Sequence, residues 1–358
     1  MSYSVILLNG EEGLQRQFLD LPKHIYGKHE IMQEEDTERA ILTGTHTLSH
    51  YFQVLGLLAV DEQKRAIGRA SITIYPDNTT AYLGFFECEN CIEACRVLLN
   101  RAEELAREKG CKEIVGPVDA SIWIRYRFKT NHFESSYTGE PYNKEYYTSL
   151  WEQCGYQVDQ KYFSNHYKRI APEFSNERYH SRLEEKESAG YSIVSPTKKT
   201  IGRTLNEVYD LLIELYRHFP AYTYVTKEEF IALYGYLEKL VRFNMVKMAY
   251  FEEKPVGFFV SIPNYQNIVY GKLTIADYLK IMRIHRNPRD YVMLYMGVDV
   301  SHKGLGKALA ESIMEELKRA GTPSVGALIR KGNINKDYFS ELIDYEYSYV
   351  LLKKVLEK

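Results

Sequence analysis

The order of strands and helices is the feature that most restricts how this chain of 358 residues can fold. In each half, apolar periodicity predicts a strand, helical segments, three strands, a helix, a strand, a helix and a closing strand. The two halves share this order without a residue-by-residue repeat. Strands that alternate with helices are typical of α/β domains, in which helices cover a central sheet. The order therefore predicts two similar α/β domains.

A polar, highly charged segment separates the two halves. Its sequence, APEFSNERYHSRLEEKESAG, covers residues 171–190 and has the composition of a linker with some helix. The first domain is then predicted over residues 1–170 and the second over residues 191–358. Both lengths lie within the usual range for domains.

The composition excludes several classes of partner. Hydrophobic residues make up 45% of the chain, charged residues 26%, and the formal net charge is -2. Without a net basic field, we expect no nucleic-acid partner and no membrane partner. The N-terminal stretch MSYSVILLNGEEG predicts a first strand, and no apolar run approaches the ~20 residues that span a bilayer. We therefore expect a cytoplasmic protein with reduced thiols.

Three cysteines lie close together in the stretch CENCIEAC, at Cys88, Cys91 and Cys95. A structural zinc site needs four ligands, and an iron–sulfur cluster usually needs four as well. The stretch has no second cysteine pair and no histidine pair nearby. We therefore interpret these residues as buried cysteines at the start of a helix, and we predict no metal.

A glycine turn between a buried strand, YVMLYMGV, and a helical pattern is the clearest binding feature of the second half. Gly304 and Gly306 let the backbone approach a ligand closely. The first turn of the helix that follows has free N–H groups and the positive end of the helix dipole. Lys303 and Lys307 add positive charge, and His302 adds a donor. Together these features predict an anion site.

Two common phosphate motifs do not fit this turn. A Walker A loop requires Ser or Thr where Ala308 follows Lys307. A dinucleotide-binding turn requires a small residue at the position of Leu309. Taken alone, the pattern fits a plain turn between a strand and a helix equally well.

The wider stretch MGVDVSHKGLGKALAESIMEELKRAG, with the strand and the GNINKDYF that follow it, resembles the GNAT family of acyl-CoA-dependent N-acyltransferases. The family pattern is R/Q-x-x-G-x-G/A, and here Ser301 replaces the first residue. Asn333 matches the family's Asn, whereas Phe339 falls at the family's Tyr position with Tyr338 beside it. This resemblance covers about residues 191–358. It implies two GNAT-like domains, each with a mixed, mostly antiparallel central sheet flanked by helices.

The resemblance implies that the second domain binds acetyl-CoA or another acyl-CoA. The pyrophosphate would take N–H groups of the glycine turn, and the pantetheine arm would pair with the strand end. Backbone N–H groups need no particular side chain, so Ser301 would weaken only the charge contribution. The implied cofactor-binding residues are Val298, Val300, Ser301, His302, Lys303, Gly304, Leu305, Gly306, Lys307, Ala308 and Asn333.

The implied reaction is direct attack of a primary amine on the thioester. The amine must lose a proton, and the leaving thiolate must gain one. We assign Tyr338 as the thiolate donor and Asp299 as the base. A half-buried aromatic role for Tyr338 and a turn-capping role for Asp299 remain the alternatives. If Phe339 truly replaces the donor, the second domain is a non-catalytic CoA-binding module.

The acceptor pocket is expected between the first two helices of the second domain, where the family places it. His218, Tyr222 and Tyr224 lie there and are the predicted substrate-binding residues. The acceptor would be the amine of a small molecule or peptide. The stretch GFFVSIPNYQNIVY favours a second reading, in which the donor is a long-chain acyl-CoA or acyl carrier protein. The sequence leaves a homodimer open.

The first half resembles the same fold more weakly, through EPYNKEYYTSLWEQCGY. The turn before its corresponding helix has no glycine, and Glu87 and Glu89 would repel a pyrophosphate there. We therefore predict a degenerate first domain without the cofactor site. The stretch GPVDASIWIRYRFKTNHF groups aromatic and cationic residues, and we expect it to face the second domain, as an acceptor surface or as interdomain packing.

Overall fold

The computed structural model describes residues 2–27, 30–76, 78–217, 219 and 221–357, without the side chain of Ile334. The strands are β1 (Ser4–Leu7), β2 (Gln53–Val60), β3 (Ala66–Ile74), β4 (Thr80–Cys88), β5 (Glu113–Gly116), β6 (Phe128–Lys129), β7 (Gln157–Tyr167), β8 (Tyr191–Val194), β9 (Val246–Phe251), β10 (Lys254–Pro263), β11 (Tyr291–Val298), β12 (Ser324–Arg330) and β13 (Ile343–Val355). The α-helices are α1 (Glu12–Ile25), α2 (Glu35–Leu42), α3 (Ile92–Glu108), α4 (Tyr147–Gln153), α5 (Glu177–Ser188), α6 (Ile201–Tyr216), α7 (Lys227–Tyr234), α8 (Ile275–Arg286) and α9 (Leu305–Ala320).

The strands of the described residues join into one sheet that runs through both halves. Its order is β1-β2-β3-β4-β5-β13-β7-β12-β11-β10-β9-β8, and β6 pairs with β13 beside this path. The pairs β4–β5 and β11–β12 are parallel, and the other pairs are antiparallel. The predicted fold class, a mixed and mostly antiparallel sheet flanked by helices, is confirmed.

Apolar residues on both faces of the strands explain why helices cover the sheet on two sides. In β2, Leu57 and Ala59 pack in a core that contains α3, whereas Leu58 and Val60 pack in a core that contains α1. Side chains alternate between the faces of a strand, so a continuous apolar run buries both. The core that contains α1 also includes α6 and α7, and it is therefore shared by the two halves.

The two halves exchange their closing strands. β13 pairs with β5 of the first half, and β7 pairs with β12 of the second half. Between them, β7 and β13 pair with each other from Ile343↔Tyr167 to Lys353↔Gln157. The closing strand of each half therefore lies between the fifth strand and the closing strand of the other half.

The charged segment between the halves forms an ordered helix, α5, that packs against α9. Its N-cap is Asn176, whose side chain accepts from the N–H of Arg178. Lys318 Nζ donates to the carbonyl of Phe174 at 2.6 Å, so the start of α5 lies near the end of α9. Arg182 of α5 lies near Gly304 at the start of α9, so the two helices run antiparallel.

The helix predicted before the closing strand of the second half is two separate 3₁₀ turns, Ile334–Asp337 and Ser340–Leu342. Phe339 stands between them with a φ of 50°, in the left-handed region, which interrupts a helix. None of the helices within the described residues is long and apolar enough to cross a lipid bilayer.

Candidate functional site

A gap opens between β11 and β12 where these two parallel strands separate. They pair only from Tyr291↔Ser324 to Met293↔Gly326. On its other side, β11 stays paired with β10 as far as Val298. The backbone of β11 beyond Met293 therefore has an unpaired edge, and we call the space beside it the slot. The slot is bordered by Met293, Leu294, Met296, Ala310, Asn335, Tyr338 and Phe339, among others.

A β-bulge lies at the slot. The register between β10 and β11 shifts so that Val260 faces Tyr295 and Ser261 faces Met293, which leaves Leu294 as the extra residue. A bulge bends a strand and redirects its side chains. Leu294 borders both the slot and a cavity on the side of α6 and α7, so the two spaces meet at this residue.

The predicted glycine turn lies at the end of the strand that borders the slot. Gly304 is the N-cap of α9 and has a φ of 85°, a conformation that a side chain strains. The N–H groups of Lys303, Gly304 and Gly306 donate to no acceptor in the described part of the chain. Free N–H groups at a helix N-terminus bind anions, so the geometry of the turn suits a phosphate.

Two arginines of α5 lie over this turn. A Cβ atom at Gly304 would lie 3.0 Å from Arg182 Cδ and 3.2 Å from Arg182 Nε. Burial, and then the charges of Arg178 and Arg182, lower the pKa of Lys307. The helix between the halves therefore brings two guanidinium groups toward the turn, where Ser301 has no charge, and that of Arg182 is paired with Glu185. The sequence analysis missed both arginines, although their spacing of four residues places them on one helix face.

The other residues predicted to bind the cofactor at the glycine turn lie close to that turn. The His302 Nδ1 atom is 2.8 Å from the Tyr191 hydroxyl, and Val300 is 85% exposed. The N–H and hydroxyl of Ser301 donate to Asp299 Oδ1, and these bonds lower the pKa of the Asp299 carboxyl. A lowered pKa makes Asp299 a weak base, so its catalytic role stays a prediction, and the geometry favours turn capping.

Tyr338 and Phe339 occupy different environments. A Cβ at Gly306 would lie 2.9 Å from the Tyr338 hydroxyl, so this tyrosine reaches the first turn of α9. Burial raises the pKa of Tyr338, which keeps its hydroxyl protonated. Phe339 is buried, and its ring stacks on Tyr179 of α5 at 3.8 Å. Tyr338 is therefore the residue that presents a proton donor beside the glycine turn.

Asn333 and Asn335 also occupy different environments. Asn333 is exposed and precedes the first 3₁₀ turn after β12. Asn335 borders the slot, and its buried Oδ1 atom has no hydrogen-bond partner among the residues that the structure describes. A buried acceptor without a donor is unfavourable unless a ligand supplies one. Asn335 is therefore a further candidate for ligand contact. The resemblance in sequence pointed to Asn333 and did not indicate Asn335.

The cavity on the other side of the bulge has a volume of about 130 Å³. Helices α6 and α7 form one wall, and β11 contributes Leu294 and Tyr295. The first half contributes Ile122, Trp123, Tyr126 and Arg127. We call this space the apolar cavity, because most of its lining is aliphatic or aromatic. It lies beside α6 and α7, where the sequence analysis expected the acceptor pocket.

Of the three predicted acceptor residues, the two that the structure describes, Tyr222 and Tyr224, do not line this apolar cavity. Tyr222 packs edge-on against Trp123, with ring centroids 6.1 Å apart, and it is not among the residues that line the cavity. Tyr224 is 54% exposed. His218 lies outside the described residues. Their substrate-binding role stays a prediction. Other residues line the cavity, among them Trp123, whose Nε1 donates to the carbonyl of Thr223 at 2.7 Å.

The corresponding gap of the first half is filled. β4 and β5 also separate after Tyr82↔Val115, but a Cβ at Gly84 would lie 2.0 Å from the carbonyl oxygen of Val118. The N–H of Phe85 donates to Asp119 Oδ1. The edge of β4 is therefore occupied by the chain itself, which leaves no room for an extended ligand.

Comparisons with known proteins support the fold. No protein-family model and no curated protein matches the sequence. Among solved structures, a tandem GNAT protein from the clavulanic acid biosynthesis pathway is 13% identical with a TM-score of 0.52, covering 100% of this chain and 99% of that one. A probable N-acyltransferase from Enterococcus faecalis V583 is 11% identical with a TM-score of 0.53, covering 100% and 73%.

A third structure, the glucosamine N-acetyltransferase region of a fungal multi-domain GH3 beta-N-acetylglucosaminidase, is 13% identical with a TM-score of 0.53. The match covers 99% of this chain and 38% of that one. At such identities the likeness concerns the fold and not the activity.

Proposed function

We propose that this chain, which has the tandem GNAT fold, is an acyl-CoA-dependent N-acyltransferase. Its second half, residues 191–358, would transfer an acetyl group from acetyl-CoA to the primary amine of a small molecule or peptide. One observation carries this proposal: Tyr338, which borders the slot beside β11, also reaches Gly306 of the anion site, so the two adjoin. An extended ligand with an anionic group suits both. The first half, residues 1–170, would keep the fold without a cofactor site.

In this proposal the cofactor lies along the second half. Its pyrophosphate takes the N–H groups of Lys303, Gly304 and Gly306, with Arg178 and Arg182 supplying charge from α5. Its pantetheine arm pairs with the unpaired edge of β11, as an added strand does. The thioester then reaches the bulge, where the slot meets the apolar cavity.

The chemistry is direct transfer. The neutral amine attacks the thioester carbon, a C–N bond forms, and the C–S bond breaks. Backbone N–H groups of the bulged strand polarise the carbonyl, and the Tyr338 hydroxyl protonates the departing thiolate. The proton of the amine leaves through water, since the carboxylate of Asp299 is engaged by Ser301.

Replacement of Tyr338 by Phe tests the donor role. We expect kcat to fall by about 10²-fold, the lower end of the usual effect of a general acid, with KM for acetyl-CoA unchanged. Steady-state rates of thiol release measure this. Tyr345→Phe, which removes a hydroxyl 3.1 Å from that of Tyr347, is the control. An unchanged kcat in Tyr338→Phe excludes Tyr338 as the donor.

Replacement of Arg182 by Gln tests the contribution of α5. We expect the affinity for acetyl-CoA to fall by about fivefold, which corresponds to ~1 kcal/mol, because the side chain is partly exposed. The salt dependence of binding should also become weaker. Arg319→Gln, at the other end of α9, is the matched control. Equal affinities in the two variants would show that the turn needs no charge from α5.

Calorimetric titration with acetyl-CoA, followed by an amine panel monitored through thiol release, tests the proposal as a whole. Micromolar binding with turnover supports an acetyltransferase. Binding without turnover over the whole panel favours the non-catalytic CoA-binding module. Failure to bind any CoA ester would contradict the proposal.

A second candidate is a transferase that uses a longer acyl donor, such as a long-chain acyl-CoA or acyl carrier protein. The apolar cavity favours it, because this cavity begins at Leu294, beside the expected position of the thioester. A series from acetyl- to palmitoyl-CoA separates the two candidates. Affinity and kcat/KM that rise with chain length would identify the longer donor.

A further inference from the structure

A buried arginine of the first half, Arg127, has no counter-ion among the described residues. It is 5% exposed, and its Nε and Nη1 atoms have no hydrogen-bond partner within the part of the chain that the structure describes. In the described part of the chain, no carboxylate forms an ion pair with it. Its guanidinium lies over the rings of Tyr126 at 3.8 Å and Tyr162 at 4.7 Å. These rings attract the cation but do not replace an anion.

The neighbouring cations show how unusual this arrangement is. Each has a carboxylate partner within hydrogen-bond distance: Arg69 with Glu38 at 2.7 Å, Arg125 with Asp119 at 2.6 Å, and Lys129 with Glu140 at 3.0 Å. A buried charge without a partner is strongly unfavourable. The structure therefore holds Arg127 in a state that a bound anion would stabilise.

The backbone at this residue is strained as well. Arg127 has a φ of 74°, which non-glycine residues rarely adopt. Its N–H donates to the carbonyl of Pro117 at 2.9 Å, which helps to hold this conformation. Strain that the surroundings maintain is common at binding sites. Here it accompanies an unpaired charge in the same residue.

Arg127 borders the place where the proposed reaction occurs. It lines the apolar cavity together with Leu294 and Tyr295. It also lines a larger cavity of about 510 Å³ between the halves, which Trp123 and Tyr295 border too. An anion held by Arg127 thus lies in the space that adjoins the bulge of β11.

We infer that Arg127 binds the carboxylate of the acceptor, and that the acceptor is a small amine with a carboxylate and an apolar side chain, such as an apolar amino acid. This inference rests on the proposed function. A guanidinium pairs with a carboxylate through parallel hydrogen bonds, which orients the molecule. The aromatic and aliphatic wall of the apolar cavity accommodates the side chain, and the amine points to the bulge.

The test compares product analogues that differ only in the carboxylate. N-acetyl-leucine and N-acetyl-phenylalanine, with the amide of each, are titrated into the full chain in the presence of CoA. We expect the wild type to bind at least one acid about tenfold more tightly than its amide, the effect of one lost charged hydrogen bond. Arg127→Met should remove this difference and leave acetyl-CoA affinity unchanged, whereas Arg127→Lys should retain part of it.

Thermal unfolding provides a second readout. Because Arg127 is unpaired, Arg127→Met should leave the melting temperature unchanged or higher. Arg125→Met, which removes a paired arginine, is the matched control and should lower it. Equal binding of acid and amide by the wild type, binding of neither, or a preference that survives in Arg127→Met would overturn the inference. If the wild type does not bind acetyl-CoA, the proposed function itself is refuted.

Discussion

Gly304→Trp will abolish acetyl-CoA binding in a calorimetric titration. Any side chain at this position must adopt a φ of 85°, and its Cβ would lie 3.0 Å from Arg182 Cδ. The indole would then fill the space in front of the N–H groups of the turn. Left-handed backbone costs a non-glycine residue roughly 1–2 kcal/mol, so we expect the variant to remain folded.

Two controls separate local strain from loss of the site. Gly110→Trp introduces the same strain at a φ of 79°, with no atom within 4 Å of its Cβ, and should leave binding unchanged. Asn90→Trp lies in the corresponding turn of the first half and should also bind acetyl-CoA normally. Normal binding by Gly304→Trp would refute the assignment of the anion site.

Separation of the chain into residues 1–170 and 171–358 will destroy cooperative folding of both parts. In the first fragment, β7 loses both of its neighbours, β12 and β13. In the second, β13 loses β5 and β7. The core shared by the halves is also cut, where Trp123 packs against Phe230 at 6.2 Å. Circular dichroism melts of each fragment should show broad transitions in place of one sharp one.

Co-expression of the two fragments should restore the fold. The pairing of β7 with β13 is long, and it can form between separate chains as it does within one. We expect a 1:1 complex by light scattering, with a cooperative melt and restored acetyl-CoA binding. A second fragment that melts cooperatively and binds acetyl-CoA alone would show that the exchange of strands is dispensable.

Local patterns in the sequence were sufficient for most of the elements. Strand and helix periodicity predicted β11, α9 and β12 within a residue or two. The spacing of apolar residues that marks a buried face is set by residues close together in the chain. The glycine turn was predicted for the same reason, since a φ of 85° at Gly304 is a property of that residue. The short helix after β12 was misjudged, because Phe339 adopts a left-handed conformation that its residue type does not favour.

The candidate site was predicted only in part. The residues from Ser301 to Ala308 are contiguous, and their arrangement follows from one turn. Arg182 and Asn335 reach the same region through the packing of α5 on α9 and through a 3₁₀ turn. These contacts depend on how elements dock, which periodicity does not record.

The sequence by itself determined most of the elements, their order, the two-fold repetition of that order and the glycine turn, because each depends on residues close together in the chain. Only the tertiary structure decided that β7 pairs with β12 of the second half and β13 with β5 of the first half. It also decided that the gap between β4 and β5 is filled, and that Arg127 is buried without a counter-ion among the described residues. The physical reason is that strand pairing and burial of charge join residues far apart in sequence. An apolar alternation states which face of a strand is buried, but not which strand lies beside it.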